Sequence, residues 1–277
     1  MKTTKSLLAT LAIVLFASVT FISCTETLEP AIVKPEDAEE LKNSAIQNSQ
    51  AENATGEALG AIATYGISED WTKNSKLEDP HVTYDPQTFI VVIRYMESGG
   101  SITINWNQQL PTYDSENVTG NVVIAQFTID NVTINGAFDI TYNGGDQPTL
   151  LVDGTLNLNM DGNNSVYKIQ RTFVWYNGFN TLNDHSDDAF AIYGTSLLTE
   201  GTKVFKTEIF ENQKVIKYNT CAYPQQGITR MSVVGRNRSV TVDYGVDKDG
   251  NPSNECDNYA KFTIKVGSAS LTSIVEL

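Results

Sequence analysis

Gly154-Thr155-Leu156-Asn157-Leu158-Asn159-Met160-Asp161-Gly162 decides the fold class of this chain. Leu156, Leu158 and Met160 alternate with Asn157 and Asn159, so apolar side chains recur with a period of two. That period puts them on one face of a β-strand and the amides on the other. The same alternation returns in Ile102, Ile104 and Trp106, in Val240, Val242 and Tyr244, and in Phe262, Ile264 and Val266. Strands with one dry and one wet face belong to antiparallel sheets. Asn135-Gly136, Asp153-Gly154 and Asp161-Gly162 read as two-residue hairpin turns between such runs, because type I′ turns need positive φ at both central residues. Gly136 to Gly144 repeats Gly154 to Gly162 in position and polarity, which reads as hairpin construction within a meander. The reading is therefore an all-β, antiparallel meander or β-sandwich-like body over residues 67–277, built from roughly a dozen short strands.

The region before it differs. Pro35 followed by Glu36, Asp37, Glu39 and Glu40 suits a helix N-terminus. Leu41, Ala45 and Ile46 make only a thin apolar stripe, and a second short helical stretch is expected over Glu57 to Ile62. Residues 24–66 accordingly read as a partly helical spacer or linker outside the core.

Residues 1–23 carry Lys2 and Lys5, then the apolar run Leu7, Leu8, Leu11, Ile13, Val14, Leu15 and Phe16. The run breaks at Ser23-Cys24 and turns polar at Thr25 and Glu26, too short and too abrupt for a retained span. Phe21-Ile22-Ser23-Cys24 resembles a bacterial lipoprotein signal peptide with its lipobox. The resemblance implies cleavage before Cys24 and acylation of its thiol, with the membrane as partner through that lipid. Two or three acyl chains hold durably where one does not. Thr25 stands where an Asp signals inner-membrane retention in some Gram-negative families, so the resemblance implies the outer membrane. Glu26 and Glu29 resemble acidic surface-export signals, which leaves the periplasmic face and the cell surface both open.

Loss of Lys2 and Lys5 with the signal takes the net charge from −14 to −16. Such a surface suits neither nucleic acid nor anionic headgroups. With Cys24 acylated, Cys221 and Cys256 are an even pair in an oxidising compartment and are expected to form a disulfide. Only His81 and His185 are available as imidazole bases, and neither has the neighbours of a catalytic triad or a zinc motif. The 33 acids leave many carboxylate pairs open for glycan hydrolysis.

Two candidate sites stand out. Asp247, Asp249, Asn251 and Glu255 recur at alternate positions around Gly250, as the oxygen ligands of a calcium loop would. Asp-Gly-Asn-Pro is equally an ordinary turn. Trp175 and Tyr176, followed by Asn177-Gly178-Phe179, offer aromatic rings among polar neighbours for a sugar, although adjacent strand residues point to opposite faces. Val242-Asp243-Tyr244-Gly245, Cys256-Asp257-Asn258-Tyr259-Ala260 and the closing strand resemble the end of uncharacterised Gram-negative outer-membrane lipoproteins. The expected function is a membrane-anchored envelope lipoprotein with a binding or scaffolding β-domain. The alternative is a lipoprotein that binds or processes glycans, and the expected partner is a protein or a glycan.

Overall fold

A computed structural model describes residues 32–67, 80–96, 99–112, 114–178 and 187–277. Among the described residues fourteen strands form one antiparallel sheet. They are β1 (His81–Asp85), β2 (Ile90–Arg94), β3 (Ser101–Trp106), β4 (Val118–Ile129), β5 (Val132–Asn143), β6 (Thr149–Met160) and β7 (Asn163–Asn177), followed by β8 (Ala189–Glu200), β9 (Lys203–Ile209), β10 (Val215–Tyr218), β11 (Gly227–Val233), β12 (Arg238–Tyr244), β13 (Tyr259–Val266) and β14 (Ala269–Glu276). The strands pair in chain order, a meander, with one break. β8 pairs with β9 along Gly194–Glu200 and with β10 along Ala189–Ile192, so β9 and β10 share one lane. The all-β antiparallel expectation holds, and the four alternating runs are β3, β6, β12 and β13.

The turn reading holds only in part. Asp161-Gly162 does join β6 to β7, with φ of 50° and 84°. Asn135-Gly136 and Asp153-Gly154 instead lie inside β5 and β6. The physical reason is close approach rather than turning. A Cβ on Gly154 would sit 2.3 Å from Cβ of Phe138, the residue paired with it across the ladder. Absence of a side chain lets the strands stay long there, and β4 to β8 run 12 to 15 residues each.

The larger correction concerns residues 33–66. They are not a spacer. The two helical stretches are one helix, α1 (Pro35–Gly66), 32 residues long, with Pro35 at its start and Glu36 and Asp37 in its first turn. At about 1.5 Å per residue it extends roughly 48 Å, as long as the central strands. It contacts β2 to β6 and also β12 and β13, far along the same sheet, so the sheet curves around it. Leu41, Ala45, Ala51, Ala54, Ala58, Leu59 and Ile62 are all buried, in one core with the inward residues of the strands. The helix is enclosed on more than one face, which no single apolar stripe could announce. Small residues fill the narrow trough: a Cβ on Gly66 would lie 2.5 Å from Cδ1 of Ile104. Beside it, Nε1 of Trp106 donates to the Gly66 carbonyl at 2.8 Å.

The expected disulfide joins Cys221, in the β10–β11 connection, to Cys256, in the β12–β13 connection, with Cα atoms 5.2 Å apart. With a sequence separation of 35, closing the loop stabilises by about 4 kcal/mol in the chain-entropy account. Replacing both cysteines by serine should lower the free energy of unfolding by an amount of that order. Urea unfolding of the double variant beside the parent checks it, and an unchanged midpoint would show that the bridge constrains nothing.

Candidate functional site

The residues singled out in the sequence do not converge. Trp175 is 3% exposed; its Nε1 donates to Asp188 Oδ1 at 3.1 Å, and its ring lies 5.8 Å from that of Phe190. Tyr176 is 43% exposed, with Lys214 Nζ 5.4 Å from its ring centre. The two point to opposite faces, so Trp175 is core and only Tyr176 can meet a ligand. In the 247–257 loop, Asp247 Oδ1 accepts from the backbone N–H of Asp249 and Asn251, both within 2.9 Å, and from Asn251 Nδ2. These bonds, led by the Asn251 N–H, hold its carboxyl below the usual range. Asp247 therefore caps its own turn. Among the described residues no group of three or more His, Cys, Asp or Glu side chains is placed to hold a metal. His81 opens β1 and is exposed. Cys24, Glu26, Glu29, Phe179 and His185 lie outside the described residues.

Two constellations went unseen in the sequence. The first is a polar seam between α1 and the inner face of the sheet. Arg171 on β7 is 2% exposed; it donates to the Gly194 carbonyl, to Glu52 of α1 and to Ser196 Oγ, the last at 3.0 Å. Ser196 Oγ in turn donates to Glu52 Oε1 at 2.7 Å. Tyr167, four residues before Arg171 on β7, is buried; burial, with Glu52 close by, pushes its hydroxyl well above the usual tyrosine range. Thr207 Oγ1 donates to Asn48 Oδ1 at 3.1 Å, and Ser49 Oγ lies 3.3 Å from the Tyr244 hydroxyl. Lys217 pairs with Glu57, and Lys203 with Glu40. Arg238 pairs with Asp37 at 2.7 Å and Glu40 at 3.3 Å. The Lys203 hydrogen bond holds the Glu40 carboxyl below its ordinary range. A cavity of about 30 Å³ lies against this seam, lined by Ser49, Thr55 and Lys217 from within and by Tyr223 and Pro224 of the disulfide-linked connection. That is room for about two waters, beside a buried Thr55 hydroxyl with no partner among the described residues. The seam fixes the helix and its register in the trough, and its size suits no larger ligand.

The second constellation lies on the outer face. Strand register lines up one row of side chains across the sheet: Asn121 opposite Asp139, Asp139 opposite Asp153, Asp153 opposite Gln170, Gln170 opposite Thr195, Thr195 opposite Glu208. Asn121 Nδ2 donates to Asp139 Oδ1 at 3.2 Å and Gln170 Nε2 to Asp153 Oδ2 at 3.3 Å. A shallow depression of about 380 Å³ follows the row over β5 to β8, bounded by Thr141, Leu151, Thr172 and Tyr193. A second of about 340 Å³ continues it past Asp153, Gln170 and Thr195 toward Lys168 and Leu197. The Tyr193 ring is set against the outer-face cluster of Val174, Ala191 and Ile216, which packs it in place. Such a groove can receive hydrogen-bond donors along its length; it holds no imidazole or thiol. The chain matches no protein-family model, no curated protein and no solved structure.

Proposed function

We propose that this protein is an envelope lipoprotein, held at the outer membrane of a Gram-negative bacterium by acyl chains on Cys24, with the β-body acting as a binding or scaffolding unit. The observation that carries the reading is the seating of α1. Val33 already packs in the core, nine residues after Cys24. Nine residues reach at most about 30 Å, so an anchor at Cys24 would keep the body close to the membrane and give it a fixed sense. Asp37 and Glu40 are pinned by Arg238 and Lys203 at the end of the sheet that carries the tight turns β6–β7, β8–β9 and β13–β14. The longer connections 144–148, 219–226 and 245–258 gather at the opposite end, which would face away. No helix among the described residues is long and apolar enough to cross a membrane. The acidic charge disfavours a polyanionic partner.

Cys24→Ser should move the protein from the membrane pellet to the soluble fraction and abolish incorporation of labelled palmitate. Retention in the pellet after carbonate washing would refute the anchor.

A further inference from the structure

We propose that the outer groove across β5 to β8 binds a neutral, hydroxyl-rich glycan chain. This deepens the reading of the body as a binding unit and rests on it. The row carries a local cost. Asp139 and Asp153 face each other directly on adjacent strands, and like charges so placed destabilise a sheet. Asn121 and Gln170 give each carboxylate one amide donor, but a carboxylate offers about four acceptor positions. Both side chains are exposed, so acceptor capacity remains open to the groove. A ligand that brings donors and no negative charge relieves the pair. Sugar hydroxyls do so. A cation would also, but no third carboxylate, imidazole or thiol is placed to complete its shell among the described residues.

The rest of the groove fits the same chemistry. Thr172, Thr195 and Gln170 each donate and accept, as alternating sugar hydroxyls require. Tyr193 is held rigid by packing, and Leu151 is 44% exposed; together they offer apolar surface to the C–H face of a pyranose. The row repeats once per strand, about 4.8 Å, close to the advance of one sugar ring along an extended chain. Asp139, Asp153, Thr172 and Thr195 are short, so ordering them costs little conformational entropy. The two facing carboxylates and the overall charge of −14 repel uronate or sulfate polymers.

The test uses the full chain in mild detergent, so it is independent of whether Cys24 is acylated. Laminarin, mannan and xylan are the neutral probes, and alginate the anionic control, each in affinity gels followed by calorimetry. At least one neutral glycan should retard the protein and alginate should not. Asp139→Asn and Asp153→Asn, isosteric changes, should each weaken that binding at least tenfold, about the worth of one charge-assisted hydrogen bond. Their thermal midpoints should stay level or rise, because the repulsion is gone. Four outcomes overturn the proposal: no neutral glycan binds; alginate binds best; both variants bind as the parent does; or millimolar calcium alone raises the parent midpoint and not that of Asp153→Asn, which would make the pair a cation site.

Discussion

Deletion of residues 33–66 should leave a β-body that does not fold. Leu41, Leu59 and Ile62 are each at most 1% exposed, and burying a side chain of that kind contributes about 1.5–3 kcal/mol. Three of them together approach the net stability of a whole domain, roughly 5–15 kcal/mol. The deletion would also open the trough they fill, exposing Ile93, Ile104, Val122 and Phe262 from both limbs of the sheet. A meander with its inner face open to water has no second layer to bury it. Circular dichroism melting and limited proteolysis of the truncated chain, beside the parent, provide the measurement. A cooperative melt and parent-like protease resistance in the truncated chain would mean that α1 is a passenger, and the anchor argument built on it would lose its footing. A spacer, by contrast, could be removed at almost no cost, so the experiment separates the two readings of this region cleanly.

What was legible in the chain follows from which signals are local. Alternation at Ile102, Leu156, Val240 and Phe262 is written within six or seven residues, and each run is a strand. The opposed directions of Trp175 and Tyr176 follow from the same pleat. Asp161-Gly162 was readable as a turn because both residues adopt positive φ there, as the dipeptide prefers. Asn135-Gly136 and Asp153-Gly154 carry the same letters for another purpose, room for a neighbour, and only Phe138 across the ladder reveals it. Helix α1 hides its burial because, apart from Leu41, Leu59 and Ile62, its buried positions are filled by Ala, Ser, Thr, Asn and Gly, which an amphipathicity argument scores as neutral. Enclosure by a curved sheet selects for small volume rather than for apolarity. The groove was invisible because Asp139, Asp153, Gln170 and Thr195 lie 14 to 25 residues apart and meet only once four strands are in register. The seam was hidden for the same reason: Glu52 and Arg171 are separated by 119 residues.

That pair sets the second large effect. Glu52→Ala should lower the free energy of unfolding by about 3–5 kcal/mol, the usual cost of leaving a buried charge without its partner. The Arg171 side chain is 0% exposed, and among the described residues Glu52 supplies its only carboxylate, with Ser196 Oγ and the Gly194 carbonyl accepting from the same guanidinium. Removing both charges is a different experiment. Glu52→Ala combined with Arg171→Met should recover most of the loss, since a buried ion pair replaced by apolar side chains is often neutral or stabilising. Urea unfolding of the parent, the two single variants and the double variant closes the cycle, and the coupling term should exceed 1 kcal/mol. Additive losses would mean that the two residues act through separate packing, and that nothing in this pair fixes α1 along the sheet. The expected non-additivity has a further physical meaning. If the pair adds little net stability over an apolar substitute, its value lies in position. A helix lined with small side chains could slide by one turn in an apolar trough at modest cost, and a single buried charge with one matching partner forbids that slip.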